Sequence, residues 1–262
     1  MRLFAAAMPD LGRLPAQLPE GALVVVAPSG EAWEEQLGRA GELARSRALW
    51  VVVAGPRREG EGWRLSAACL SPEGRPVAVQ DELFPPQGWR AGGRLELFEL
   101  AGWPAALLVG EDVLWPEVAR LATLEGARLL AVPSLYPPEE AGGAPTGPWR
   151  QLAGGWQEVQ QNQVFAVESP LDGELAGRRS HGRAAVWAPC EITPDSRGWL
   201  DWAEKPGEAA AAWLEEEALE GIRDAYPLER FLNPALYRRR LAEAYERLAG
   251  EAGAGAAGGG ER

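Results

Sequence analysis

Residues 104–120 read PAALLVGEDVLWPEVAR. An apolar run over 105–109 has the length of a short strand. Gly110 then breaks it, Glu111 and Asp112 follow, and Pro116 opens a helix that Gly126 is placed to cap. The stretch therefore reads as strand, tight turn and helix. Working outward, residues 22–27 (ALVVVA) and 50–54 (WVVVA) are continuous apolar runs, which suit strands buried on both faces. Further strands are expected over 2–7, 63–70, 76–80, 94–100, 128–132, 163–168 and 183–188. Over 31–45, Trp33, Leu37, Ala40 and Ala44 recur at helical spacing. A last helix, over 235–249, carries Tyr237, Leu241, Tyr245 and Leu248 on one side. Short strands alternating with helices predict an α/β fold.

Composition narrows the function. The chain has 262 residues, is 46% hydrophobic and 24% charged, and carries a net charge of -12. That is a globular mixture. An acidic chain rarely offers the positive face that duplex nucleic acid needs, so no nucleic-acid partner is expected. No apolar run approaches the ~18 residues of a membrane span, so no membrane partner is expected either. The start, MRLFAAAMPD, lacks the long apolar core of a secretory signal, which predicts a cytoplasmic protein. Residues 137–148 read as a turn-rich surface loop and 250–262 as a disordered tail.

The rare residues carry most of the chemical information. Histidine occurs once (His181), lysine once (Lys205) and cysteine twice (Cys69, Cys190). No spacing resembles a metal site, and neither a metal nor another cofactor is expected. Ser180 and His181 are adjacent, but a Ser–His–acid triad needs spatial convergence, which neighbours in a chain seldom provide. The stretch GELAGRRSHGR around them reads as a polar loop. Of the twelve tryptophans, Trp33, Trp50, Trp63, Trp115 and Trp187 lie in predicted elements and are expected in the core.

Several stretches stand in the order seen in the nitrilase (carbon–nitrogen hydrolase) superfamily, over about residues 1–240. ALVVVAPS (22–29) resembles the strand that delivers the family's general base. QDELFP (80–85) resembles its Lys-x-His-Leu-Phe-Pro segment, and 104–120 its Cys-Tyr-Asp-x-x-Phe-Pro-Glu-x-x-Arg elbow. ARLLAVPSL (127–135) follows as its next strand does. Gln161-Asn162 and GRAAVWAP (182–189) match two later segments. The resemblance implies a four-layer αββα sandwich, with residues 1–205 as the nitrilase-like domain and 206–249 as a helical extension. It also implies a homodimer.

Nitrilase-type hydrolysis needs a cysteine thiolate, a carboxylate for proton transfer and an ammonium for the oxyanion. At the three equivalent positions this sequence has Gly110, Ser29 and Gln80. Glycine cannot form a covalent intermediate, serine does not titrate near neutrality, and a carboxamide brings no net charge. A carboxylate could be recovered from Glu31, Asp81, Glu82, Glu111 or Asp112. Sulfur and ammonium could not. The sequence thus predicts a catalytically inactive homologue that binds a small ligand or a protein partner. A divergent amidase using Glu111 or Asp112 with an activated water is the alternative. A purely structural subunit, with its pocket filled, is a third class. Trp89, Glu111, Asp112, Trp115 and Ser134 are the candidate pocket residues. Asp112 is expected to bond to nearby backbone or to Arg120, and Trp89 and Trp115 to fill the pocket.

Overall fold

A computed structural model describes residues 1–60, 62–137 and 149–248. The tail expected over 250–262, and all but the first residue of the loop expected over 137–148, lie outside them. Residues Met1–Ala225 form one compact unit, and a second begins at Tyr226.

The first unit contains two six-stranded sheets. In one, β1 (Arg2–Met8), β2 (Leu23–Val26), β3 (Trp50–Glu59), β4 (Gly62–Leu70) and β5 (Pro76–Asp81) lie side by side. In the other, β6 (Leu97–Leu100), β7 (Trp103–Leu107), β8 (Leu129–Ser134) and β9 (Phe165–Pro170) are followed across the sheet by β12 (Ala185–Trp187) and β13 (Trp199–Trp202). A separate hairpin joins β10 (Gly173–Leu175) to β11 (Arg178–Ser180). The first sheet closes with β14 (Ala210–Glu215), antiparallel to β1.

Each sheet has a parallel centre, β1–β2–β3 in one and β7–β8–β9 in the other, flanked by antiparallel strands. Parallel centres of this kind must be covered on both faces, and alternation along the strands does so. Leu23, Val25, Val52, Ala54, Leu65 and Ala67 face Ala105, Leu107, Leu129, Ala131, Phe165 and Val167 in a core between the sheets. Val24, Val26, Val51 and Val53 turn to the opposite side and pack under α1 (Trp33–Arg47) through Trp33, Ala40 and Ala44. Ala106, Leu108, Leu130 and Val132 do the same under α2 (Pro116–Leu124), through Val118, Ala119 and Ala122. The short α3 (Trp149–Gln151), a π-helical turn (Leu152–Trp156) and α4 (Gln157–Asn162) complete that layer, with Val159 in the core. The order is therefore helix, sheet, sheet, helix.

Residues 206–249, expected as a helical extension, begin instead with a strand. AAAWLE has helix-favouring alanines, but it pairs in register with β1, Ala5 opposite Ala212, and the sheet edge overrides propensity. Helix α5 (Glu216–Ala225) follows, burying Leu219 and Ile222. The hairpin β10–β11 falls in the stretch expected as a polar loop. Two tryptophans depart from expectation: Trp63 and Trp115 are exposed, whereas Trp33 and Trp187 are buried.

The second unit comprises α6 (Leu228–Phe231), α7 (Pro234–Leu236) and a π-helical turn over Tyr237–Leu241 that runs on as helix to residue 248. Its apolar stripe, Tyr237, Leu241, Tyr245 and Leu248, is exposed. Arg240 pairs with Glu243 one turn along, at 3.2 Å.

Candidate functional site

The chain leaves β7 through Leu108 and Val109, both buried, and turns at Gly110. Its φ of 61° and ψ of -118° make a sharp elbow between strand and helix, a conformation most side chains resist. The end of β8 holds it on both sides: the Gly110 N–H donates to the Pro133 carbonyl at 3.0 Å, and the Leu135 N–H donates to the Gly110 carbonyl at 2.9 Å. A 3-10 turn over Glu111–Leu114 then leads into α2, with Pro116 at its first position.

Asp112 is fully buried and is an anchor. Its carboxylate accepts from the Leu83 N–H at 2.9 and 3.0 Å and from the Phe84 N–H at 3.0 Å, which ties the segment after β5 to the elbow. Burial pushes its pKa up to about 7, the nearby Glu82 charge adds to this, and the backbone donors only partly offset it. No hydrogen bond joins Asp112 to Arg120 among the described residues, so the backbone role is the one observed.

The same segment carries Glu82, whose side chain is completely buried. An ideal Cβ built on Gly110 would overlap the Glu82 carboxylate and come within 2.8 Å of a Leu65 methyl. Glu82 thus occupies the space a side chain at the elbow would need. Glu82 Oε1 accepts from the Glu111 N–H at 2.8 Å. Arg178 grips both Glu82 oxygens at 2.7 Å and reaches Glu111 Oε1 at 2.8 Å. Its guanidinium carbon lies 5.4 Å from the centre of the Trp89 ring.

Arg178 comes from the small hairpin. Ala176 and Gly177 both have positive φ, the arrangement of a two-residue type I′ turn. That turn sets Leu175 directly opposite Arg178 and Glu174 opposite Arg179. The first pair faces inward and the second outward: the Arg178 side chain is 8% exposed and that of Arg179 77%. Nothing in the local sequence distinguishes two adjacent arginines, and only the turn-set register does so.

The three positions assigned by resemblance to base, ammonium and nucleophile are not joined by any hydrogen bond among the described residues. Ser29 Oγ accepts from the Gln36 side-chain amide at 2.9 Å. Gln80 donates to the carbonyls of Asp81 and Arg94, both at 2.8 Å, and accepts from the Glu96 N–H at 3.3 Å. It lines a cleft of about 440 Å3 with Arg57, Asp81, Arg94 and Glu96, and neither Ser29 nor Gly110 borders that cleft. Trp115 stacks on Phe84 at the surface, with ring centres 5.0 Å apart, and so does not fill the pocket. Ser134 pairs with Gly110 through its backbone, but its side chain is engaged elsewhere. Its hydroxyl donates to Glu168 Oε1 at 2.9 Å.

Glu168 is the centre of a second buried cluster. It also accepts from Tyr136 Oη at 2.5 Å, Trp187 Nε1 at 2.6 Å and Gln151 Nε2 at 3.2 Å. All four donors are neutral, and burial raises its pKa above the ordinary carboxylate range. Cys69 lies in the core between the sheets, where burial pushes its thiol pKa far up. Cys190 is half-buried and carries a raised pKa from burial and from Glu191. Lys205 is exposed. His181 is exposed and contacts Asp172 at 2.8 Å, while Ser180 Oγ accepts from the Tyr136 N–H, so the three make no nucleophilic relay. Among the described residues no cluster of His, Cys, Asp or Glu is placed to hold a metal ion. None of their helices is long and apolar enough to cross a membrane.

The sequence matches no protein-family model and no curated protein. Solved structures do match. A carbon–nitrogen hydrolase from Helicobacter pylori G27 aligns with a TM-score of 0.72 at 17% identity, over 90% of this chain and 97% of that one. Nit3 of Saccharomyces cerevisiae, from branch 10 of the nitrilase superfamily, aligns at 0.69 and 15%, over 88% and 97%.

This is the nitrilase-superfamily fold.

An amidase from Nesterenkonia sp. AN1 shares it, with a TM-score of 0.62 at 18% identity over 88% of this chain and 97% of the amidase. In one mutant of that protein the acetamide moiety of fluoroacetamide is covalently added at the active-site cysteine. At these identities the likeness is one of fold. Within the nitrilase fold, the residues that sequence reasoning underused are Glu82, weighed there only as a spare carboxylate, and Arg178, taken as part of a solvated loop.

Proposed function

We propose that this chain is a catalytically inactive member of the nitrilase superfamily, a pseudoenzyme that acts by binding rather than by hydrolysis. One observation carries the reading. The elbow backbone is kept while its side chain is gone, and a buried carboxylate, Glu82, stands in the vacated space. Acyl transfer through a covalent intermediate needs a nucleophile there, and glycine supplies none. Neither cysteine nor the single lysine can replace what is missing. Cys69 is in the core, and Lys205 is an exposed side chain in the loop before β14.

The alternative enzyme, with Glu111 or Asp112 activating a water, has less support. Glu111 is engaged by Arg178, and both Asp112 oxygens accept backbone N–H bonds. A general base must be free to take a proton. Self-association into a homodimer belongs to the same proposal, on the ground of resemblance.

The test is direct. Purified protein is incubated with a panel of short aliphatic amides and nitriles, and ammonia release is followed. No release above the protein-free blank is expected, and Glu111→Gln and Asp112→Asn variants are expected to match the wild type. Sustained turnover by the wild-type protein would overturn the reading. Sedimentation velocity at several concentrations checks the dimer.

A further inference from the structure

The cluster over the elbow has the make-up of a guanidinium receptor. A buried carboxylate meets the guanidinium with two parallel bonds of 2.7 Å, the fork geometry that distinguishes arginine from lysine. A second carboxylate, Glu111, takes another N–H at 2.8 Å, and the guanidinium carbon lies over the Trp89 ring, 5.4 Å from its centre. In this chain the receptor is filled from within by Arg178. The fit is incomplete, because the buried Arg178 Nε has no hydrogen-bond partner among the described residues.

The element that delivers Arg178 stands apart from both large sheets. Hairpin β10–β11 forms its own two-stranded sheet, with three residue pairs, and adds to neither large sheet. Two strands alone are at best marginally stable in water. This hairpin is held by Leu175 in the core, Arg178 in the receptor, Ser180 through the Tyr136 N–H, the His181 N–H on the Tyr136 carbonyl, and the exposed Asp172–His181 contact at its base. Its release would leave Glu82 and Glu111 facing solvent, with the indole beside them.

We propose that Glu82, Glu111 and Trp89 form a binding site for a guanidinium group, occupied at rest by Arg178 and opened to an external guanidinium when the β10–β11 hairpin swings out. A small alkylguanidine and an arginine side chain of a partner protein share that chemistry. This deepens the non-hydrolytic reading and rests on it, since the ligand is released unchanged.

Wild-type protein is followed by hydrogen exchange with millimolar ethylguanidinium, an arginine-containing tripeptide or ethylammonium at matched ionic strength. Ethylguanidinium is expected to speed exchange over residues 173–180, and ethylammonium, which lacks the planar fork, to do so clearly less. A response to ethylguanidinium but not to the tripeptide assigns the site to small ligands, and a response to both admits an arginine side chain. In Arg178→Ala, ethylguanidinium is expected to raise the melting temperature back toward wild type, and in Arg178→Ala/Glu82→Gln to have no such effect. No response to ethylguanidinium in the wild type, or an equal response to ethylammonium, overturns the proposal whether or not the variants fold. Chemical breakdown of the guanidine, seen as ammonia release, would instead overturn the non-hydrolytic reading.

Discussion

Gly110 and Glu82 have to be understood as a pair. A residue at φ 61° and ψ -118° is strained unless it is glycine, and glycine stands here. Gly110→Cys is therefore expected to lower stability by about 2 kcal/mol, from backbone strain and overlap with Glu82. It is expected to restore no amidase activity, since the carboxylate beside the new thiol, Glu82, is held on both oxygens by Arg178 and no ammonium faces it. Chemical denaturation and ammonia release measure the two effects. Glu168 behaves differently. Its four donors are neutral and buried, and replacing the acceptor removes this partner from Ser134, Tyr136 and Trp187, while the Gln151 amide keeps its bond to the Arg183 carbonyl. Glu168→Leu should cost about 3 kcal/mol in a thermal or urea melt, and Glu168→Gln, which keeps one acceptor oxygen, should cost less.

Among the elements, periodicity marked the central strands well and the peripheral ones poorly. Runs such as LVVV in β2 are apolar on both faces because both faces are covered, and no partner is needed to recognise them. In β10, β11 and β14 each strand is short and polar or alanine-rich, and each becomes a strand because of what lies beside it. The hairpin depends on Leu175, the inward residue opposite Arg178. Leu175→Ala is expected to destabilise by about 3 kcal/mol and to speed hydrogen exchange at residues 173–180. Unchanged exchange there would mean that Arg178 and Ser180 hold the hairpin without its apolar anchor.

Across the whole molecule, the buried carboxyls set an unusual response to pH. Asp112 rises from an ordinary value of 3.8, and Glu158 from 4.5, each to about 7, both mainly through burial. A carboxyl that holds its proton more tightly when folded favours the folded state as pH falls through the interval between its two values. Stability is thus expected to increase from about pH 7.5 to about pH 5.5, where most acidic proteins gain nothing from their carboxylates. Melting temperatures across that range test this, and Asp112→Asn should flatten part of the slope. A melting temperature that falls steadily over the range would contradict the burial argument.

The sequence alone carried the positions of the central strands along the chain, the elbow at Gly110, and the absence of sulfur and ammonium from the stretches that resemble a catalytic frame. Those features are local: strand hydrophobicity, glycine conformation and residue identity do not depend on distant partners. The tertiary structure decided what became of the site. Whether Arg178 or Arg179 points inward depends on the register set by one turn. Whether Glu82 lies in solvent or beside Gly110 depends on the anchoring of its segment by Asp112. Both outcomes join residues 29 to 96 positions apart, a separation across which no sequence pattern fixes a contact.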